Sequence, residues 1–182
     1  MEKIKILDKD FTLFIEENKI ESVIKKMAKA MSKDLFDKDP LFIGILNGAF
    51  MFASDLLKNI DFPCQLGFIK TTSYNGTHTS GAITSLIGLN CDIKGRTVVI
   101  LEDIADTGLT LESIYNQLLA LKPAKINVAA LLLKPDVFSK KVKIDYIGME
   151  IPNNFIVGYG LDYNGYGRNL KDIYYLEKDN EQ

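Results

Sequence analysis

The chain has little of what usually builds a metal centre or a disulfide framework: two cysteines, one histidine and no paired spacing among them. Cys64 and Cys91 form no CxxC, and two thiols in a chain without a secretion signal are expected to be buried and unbridged. His78 has no Cys or His partner and is expected to be a solvated loop residue, with no metal assigned to it. A basic excess is missing too. Lys+Arg 22 against Asp+Glu 24 leaves a formal charge of -2, so no overall field draws the chain to nucleic acid or an anionic membrane. Any anion site must be local. No run of about 18 apolar residues occurs, and MEKIKILDKDF lacks the apolar core and cleavage site of a signal peptide. A soluble, cytoplasmic protein with small-molecule partners is expected.

Two nucleotide-binding signatures are absent as well. There is no G-x-x-x-x-G-K-[ST], and Gly158-Tyr159-Gly160 lacks the rest of a dinucleotide fingerprint, which removes P-loop and Rossmann dehydrogenase readings. Asn75-Gly76-Thr77 matches a glycosylation sequon, but without an export signal it marks only a turn. No repeat, low-complexity linker or domain boundary interrupts the sequence. At 182 residues and 47% hydrophobic content, one domain over 1–182 with a sizeable core is expected.

Ile20, Val23, Ile24, Met27, Ala28 and Met31 recur at helical spacing after Asn18, a candidate N-cap with Glu21 three residues on. LFIGIL (Leu41 to Leu46) reads as a buried strand, and Asn47-Gly48 leads into a helix, AFMFASDLLKNI. Leu66 to Tyr74 and TSLIGL read as a hairpin whose tip, Asn75 to Ala82, is small, polar and mobile. TVVIL (Thr97 to Leu101) is a strand covered on both faces, and Leu111, Ile114, Tyr115, Leu118 and Leu119 mark the helix after it. INVAALLL, DYIGMEI, FIVGYGL and IYYLE repeat the strand theme. Strands alternating with helices predict an α/β fold, a mostly parallel sheet with helices on both faces.

Ligands of such sheets bind beyond the C-terminal ends of the parallel strands. Four places stand there: Leu46-Asn47-Gly48, Glu102 to Thr110, Lys134, and Phe155 to Arg168. In the second, Glu102 and Asp103 close the TVVIL strand and Asp106-Thr107-Gly108-Leu109-Thr110 opens a helix. Loop amides, two hydroxyls and a helix N-terminus make a phosphate cradle, with Gly108 allowing close approach and Thr110 helping to cap the helix. Three acids beside a phosphate cradle need ribose hydroxyls or a cation to face, so the pattern suggests a phosphorylated sugar with a metal.

The string VVILEDIADTGLTL, Val98 to Leu111, resembles the ribose-5-phosphate signature of the type I phosphoribosyltransferases, two acids followed by D-T-G-x-T. LNGAFMFASDL, Ser73-Tyr74, LLLKPD and FIVGYGLDYNGYGRNL resemble the hypoxanthine (6-oxopurine) branch, in order, from about Leu41 to Glu177. The resemblance implies the type I phosphoribosyltransferase fold, with a mobile hairpin loop and a small hood. It implies purine salvage: ribose 5-phosphate passes from 5-phosphoribosyl diphosphate to hypoxanthine or guanine, giving the nucleotide and pyrophosphate. Mg²⁺ and a homodimer or homotetramer come with it. A phosphoribosyltransferase for another base such as xanthine, or a regulator sensing the diphosphate sugar, are the alternatives; the regulator would be expected to show a basic face or an added domain.

Site roles follow from the same resemblance. Glu102 and Asp103 hold the ribose hydroxyls, directly or through Mg²⁺, and Asp162 is a further metal ligand. Asp106 is the general acid/base near purine N7, and Ala105, Thr107, Gly108, Leu109 and Thr110 line the 5'-phosphate. Lys134 donates to the purine 6-oxygen; an ammonium has only donors, which opposes a 6-amino group. Phe155 stacks on the base, with the main chain of Ile156 at its edge. Leu46, Asn47, Gly48 and Arg168 meet the pyrophosphate, with a cis peptide common before the second of these. Ser73 and Tyr74 begin the mobile loop.

Asn47 departs from the usual lysine, which leaves the contact to backbone amides. Asn47→Lys is expected to lower the KM for pyrophosphate in the reverse reaction, measured by steady-state kinetics; identical constants would show that only the backbone counts.

Overall fold

Runs such as TVVIL and INVAALLL have no polar face, so as strands they need cover on both sides. The computed structural model, which describes residues 2–73 and 83–177, provides that cover. Along it run β1 (Lys3–Ile6), β2 (Lys9–Ile15), α1 (Glu17–Leu35), β3 (Leu41–Leu46), α2 (Phe50–Leu57), β4 (Gln65–Ser73) and β5 (Ile83–Ile87). Then come β6 (Thr97–Ala105), α3 (Leu109–Ala120), β7 (Lys125–Leu133), β8 (Tyr146–Glu150), β9 (Ile156–Val157) and β10 (Ile173–Leu176).

The main sheet has the order β5-β4-β3-β6-β7-β8. Its strands are parallel except β5, which returns antiparallel to β4. Successive residues point to opposite faces. Phe42, Val99, Leu101, Ala129 and Leu131 pack with α1 and α2, through Ile24, Met31 and Phe52 among others. Leu41, Ile43, Val98, Ile100 and Val128 pack with α3 through Leu111, Ile114 and Leu118. Burying a side chain of the size of Phe42 or Phe52 contributes roughly 1.5–3 kcal/mol. The C-terminal ends of β3, β6 and β7 therefore stand on a close-packed base.

A second, antiparallel sheet of order β1-β2-β10-β9 forms the hood. Its N-terminal hairpin is not readable from periodicity, because lysines and aspartates dilute the alternation of Ile4, Ile6, Phe11 and Leu13. Other boundaries move for identifiable reasons. FIVGYGL keeps only β9, since positive φ at Gly158, Tyr159 and Gly160 turns the chain away from the ladder. The second helix ends at Leu57, short of Ile60. Cys91 is exposed and Cys64 half-buried, so the thiols are free but not both buried. Among the described residues no helix is long and apolar enough to cross a membrane.

Asn18 is not the cap of α1. The cap position is Glu16, without a side-chain bond, and the Glu17 N–H donates instead to Asp172 Oδ1 at 2.7 Å, from the far end of the chain. Such a cap is worth about 1 kcal/mol. Asp172→Ala is expected to lower the urea unfolding free energy by about that amount. An unchanged midpoint would mean that water caps α1 equally well.

Candidate active site

Glu102 and Asp103 lie inside β6, not after it, because the strand runs on to Ala105 and pairs with β7 as far as Leu133. Both carboxylates are thus held in a central strand, each only 9% exposed. Burying acids this way is costly unless they are paired. Glu102 Oε2 has no hydrogen-bond partner. Burial, with the neighbouring Asp103 charge, pushes the Glu102 carboxyl well above its ordinary range. Burial also lifts Asp103, to about 6, against the pull of the Ile104 and Asp103 backbone N–H groups and the Arg168 charge. Strongly shifted acids buried within a strand mark a candidate site more than a core.

Next comes the loop Asp106-Thr107-Gly108. Gly108 occupies the cap position of α3 with φ 82°, a conformation that favours glycine, and a Cβ there would come within 2.5 Å of the Phe138 ring. No side chain caps the helix. Thr110 is accordingly a first-turn residue and not a cap, and it, Thr107 and Leu109 are exposed. The first amides of a helix have no partner inside it and favour an anion.

The loop after β7 is laced to this one. Lys134 N–H donates to Ala105 O at 3.0 Å, and Ser139 N–H to Thr107 O at 3.0 Å. Lys134 itself is buried, and its Nζ lies 2.9 Å from Asp106 Oδ2. The sequence marks both residues, but nothing in it pairs them.

On the other side stands the loop after β3, with a cis Leu46–Asn47 peptide and an exposed Asn47. Gly48 rests on the Asp103 carboxylate so closely that a Cβ would sit 1.7 Å from Oδ2. Gly160 rests on Gly48 in turn, a Cβ there falling 2.1 Å from Gly48 O. Arg168 Nη1 donates to Gly160 O at 2.7 Å and Nη2 meets Asp162 Oδ1 at 2.6 Å. Asp162 Oδ2 also accepts from the Gly165 N–H at 2.7 Å. The structure therefore gathers residues 46–48, 102–103, 106–110, 134 and 160–168 at one end of the sheet. Gly160 lies within the segment Phe155 to Arg168 that the sequence marks, but no role attaches to it there; its contact with Gly48 is visible only in the fold.

Phe155 is 47% exposed and is backed by Phe11 at 6.4 Å and Tyr163 at 6.0 Å between ring centroids. Its ring is supported by the hood and open on another side. Ile156 pairs with Tyr175 of β10. Ser73 ends β4 opposite Ile83, while Tyr74, the tip and His78 lie outside the described residues. Among the described residues no three His, Cys, Asp or Glu side chains are gathered for a metal.

A model of the phosphoribosyl transferase domain matches residues 15–164. The chain belongs to the phosphoribosyltransferase family. It is similar to the hypoxanthine-guanine phosphoribosyltransferase of Aquifex aeolicus, 36% identical over 174 residues that cover 94% of this chain and 98% of the relative. The corresponding protein of Streptococcus pyogenes is 38% identical over 168 residues, 92% of this chain and 93% of the relative. Among solved structures, a hypoxanthine phosphoribosyltransferase from Staphylococcus aureus superposes with a TM-score of 0.82 at 35% identity, covering 91% of this chain and 90% of its own. That of Trypanosoma cruzi gives 0.82 at 31% identity, covering 96% and 95%. The expected type I phosphoribosyltransferase fold is the one observed.

This phosphoribosyltransferase should show its buried acids in its own stability. A carboxyl raised from 3.8 to about 6 holds its proton more tightly folded than unfolded. Its stabilising contribution is full below the ordinary value and is lost as pH rises through about 6. Unfolding free energy of the ligand-free protein is expected to fall over that window, and Asp103→Asn to flatten the slope and raise stability at pH 7. Urea titrations across the window check it; an unaltered slope in the variant would place the cause elsewhere.

Proposed function

We propose that this chain is a purine-salvage enzyme that transfers ribose 5-phosphate from 5-phosphoribosyl diphosphate to N9 of hypoxanthine or guanine, releasing pyrophosphate. The observation that carries the purine half is the buried Lys134 ammonium held 2.9 Å from Asp106 beside the phosphate loop. A 6-oxopurine offers each of them a partner: O6 accepts from Lys134, and the N7 proton lies with Asp106. A 6-amino group would meet the ammonium donor to donor. The likeness to hypoxanthine-guanine phosphoribosyltransferases over 93–98% of their length supports the same substrates.

Glu102 and Asp103 suit Mg²⁺, since Glu102 Oε2 lacks any partner and burial disfavours two bare charges. Mg²⁺ commonly takes one or two carboxylates and fills its shell with water and substrate phosphate oxygens, so a dedicated three-residue cage is not required. Asp162, with Arg168, faces the same charge from the opposite loop. Bound there, Mg²⁺ supplies positive charge to the departing diphosphate.

The protein's own groups do the rest. Thr107, Gly108, Leu109 and Thr110, with the amides opening α3, hold the 5'-phosphate, and Ala105 closes its floor. Phe155 stacks on the base, the Ile156 main chain meets its edge, and Leu46, Asn47, Gly48 and Arg168 grip the pyrophosphate. As the anomeric C–O bond breaks through an oxocarbenium-like state, Arg168 offsets charge on the leaving group and Asp106 takes up the purine proton. The two free cysteines suit a reducing cytoplasm. One domain spanning 1–182 and a homodimer or homotetramer complete the reading, exposed Phe50 and Leu66 offering apolar surface.

Mixing the protein with 5-phosphoribosyl diphosphate, Mg²⁺ and each purine in turn is expected to yield nucleotide with hypoxanthine or guanine and none with adenine. No product with any base would return the chain to the regulators. Asp106→Asn is expected to lower kcat by roughly 10²- to 10⁴-fold with little change in the KM for the diphosphate sugar. An unchanged kcat would take Asp106 out of the chemistry.

A further inference from the structure

The grip on pyrophosphate is divided between two units that are far apart in sequence. One is β3, the loop 46–48 and α2, continuous through Ala49 N–H to Ile45 O at 3.1 Å and Ala53 N–H to Ala49 O at 2.8 Å. The other is the loop 158–170, laced internally by Tyr159 N–H to Leu170 O at 2.8 Å, Gly160 N–H to Arg168 O at 3.0 Å and the Arg168–Asp162 pair. Each unit is stiff in itself. What matters for a ligand held between them is their spacing.

Two contacts set that spacing side by side. Gly160 lies directly on Gly48, and the adjacent Tyr159, only 4% exposed, donates its hydroxyl to Asp55 Oδ2 on α2 at 2.6 Å. We propose that the Tyr159–Asp55 hydrogen bond is a positioning device that registers the Arg168-bearing loop against the 46–48 loop and so tunes the affinity for the diphosphate group. Asp55 is not otherwise used in the site, and Tyr159 carries no reacting atom. The bond is charge-assisted: burial pushes the Asp55 carboxyl up, but hydrogen bonds from Lys58 and Tyr159 outweigh it and hold the carboxyl below its usual range. A short bond from a buried phenol to an ionised acceptor leaves little play between its two ends, whereas Gly160 on Gly48 is a van der Waals stop that limits approach but not separation. The hydroxyl supplies the missing restraint against opening.

This inference rests on the proposed phosphoribosyl transfer, and the test separates the two. Tyr159→Phe keeps the buried ring and removes only the hydroxyl; Asp55→Asn keeps the shape and removes the charge; Lys58→Ala leaves the bond in place. In the reverse reaction, Tyr159→Phe and Asp55→Asn are expected to raise the KM for pyrophosphate about tenfold, the usual scale for one buried charged hydrogen bond. The KM for the purine nucleotide should stay within about twofold of wild type, and Lys58→Ala should match wild type in both. A merely structural role would move both constants together or neither, and either result overturns the proposal. Normal wild-type turnover with an unmoved pyrophosphate constant in both variants overturns the positioning role alone. Absence of wild-type turnover overturns the functional reading and this inference with it.

Discussion

Two adjacent carboxylates are built into the middle strand of the sheet, and the arrangement around them is a response to that burial. Glu102 and Asp103 cannot be moved to solvent without shortening β6, and they cannot be ionised cheaply where they stand; an unpaired buried charge costs several kcal/mol. Gly48 has no side chain because Asp103 Oδ2 occupies the place where one would begin. Gly160 lacks one because Gly48 is already there. Arg168 is brought close enough for its charge to pull Asp103 back down. The protein thus carries a standing electrostatic cost at this strand, and any ligand that offsets it would also stabilise the strand.

The second organising contact joins the two loops that leave β6 and β7. Backbone bonds from Lys134 and Ser139 fasten one loop to the other, so Lys134 and Asp106 meet before any base arrives. Lys134 and Asp106 thus satisfy each other, whereas Glu102 Oε2 has no hydrogen-bond partner among the described residues. One side of the site is self-satisfied in the free protein and the other is not, so only beside the buried acids would a ligand relieve a cost instead of replacing an existing pair.

Much of this was legible in the residues. Continuous apolar runs announced β3, β6 and β7, and D-T-G-x-T announced the loop that opens α3, because these depend on local chemistry. What escaped depends on contacts across the fold. The hairpin β1–β2 has a diluted pattern and is stabilised by pairing with β10, Ile15 opposite Ile173. The α1 cap comes from Asp172, 155 residues away in sequence, so Asn18 looked like the natural choice. Glu102 and Asp103 were recognised, but their place inside a strand was not, since acids at the end of an apolar run read as its terminus. The support of Phe155 by Phe11 and Tyr163 likewise joins three distant positions that no spacing rule connects.

The hood takes β1 and β2 from the beginning of the chain and β10 from its end. Its sheet is incomplete until residues 173–176 are available. On the ribosome, where the chain emerges from its N-terminus, the parallel sheet and the loop 106–110 can assemble while Phe155 still lacks the strand that accompanies it, β10, whose Leu176 N–H donates to Phe155 O. A polypeptide stalled short of Ile173 would present a finished parallel sheet beside an unfinished hood, so the two sides of the gathered site are completed at different moments of synthesis.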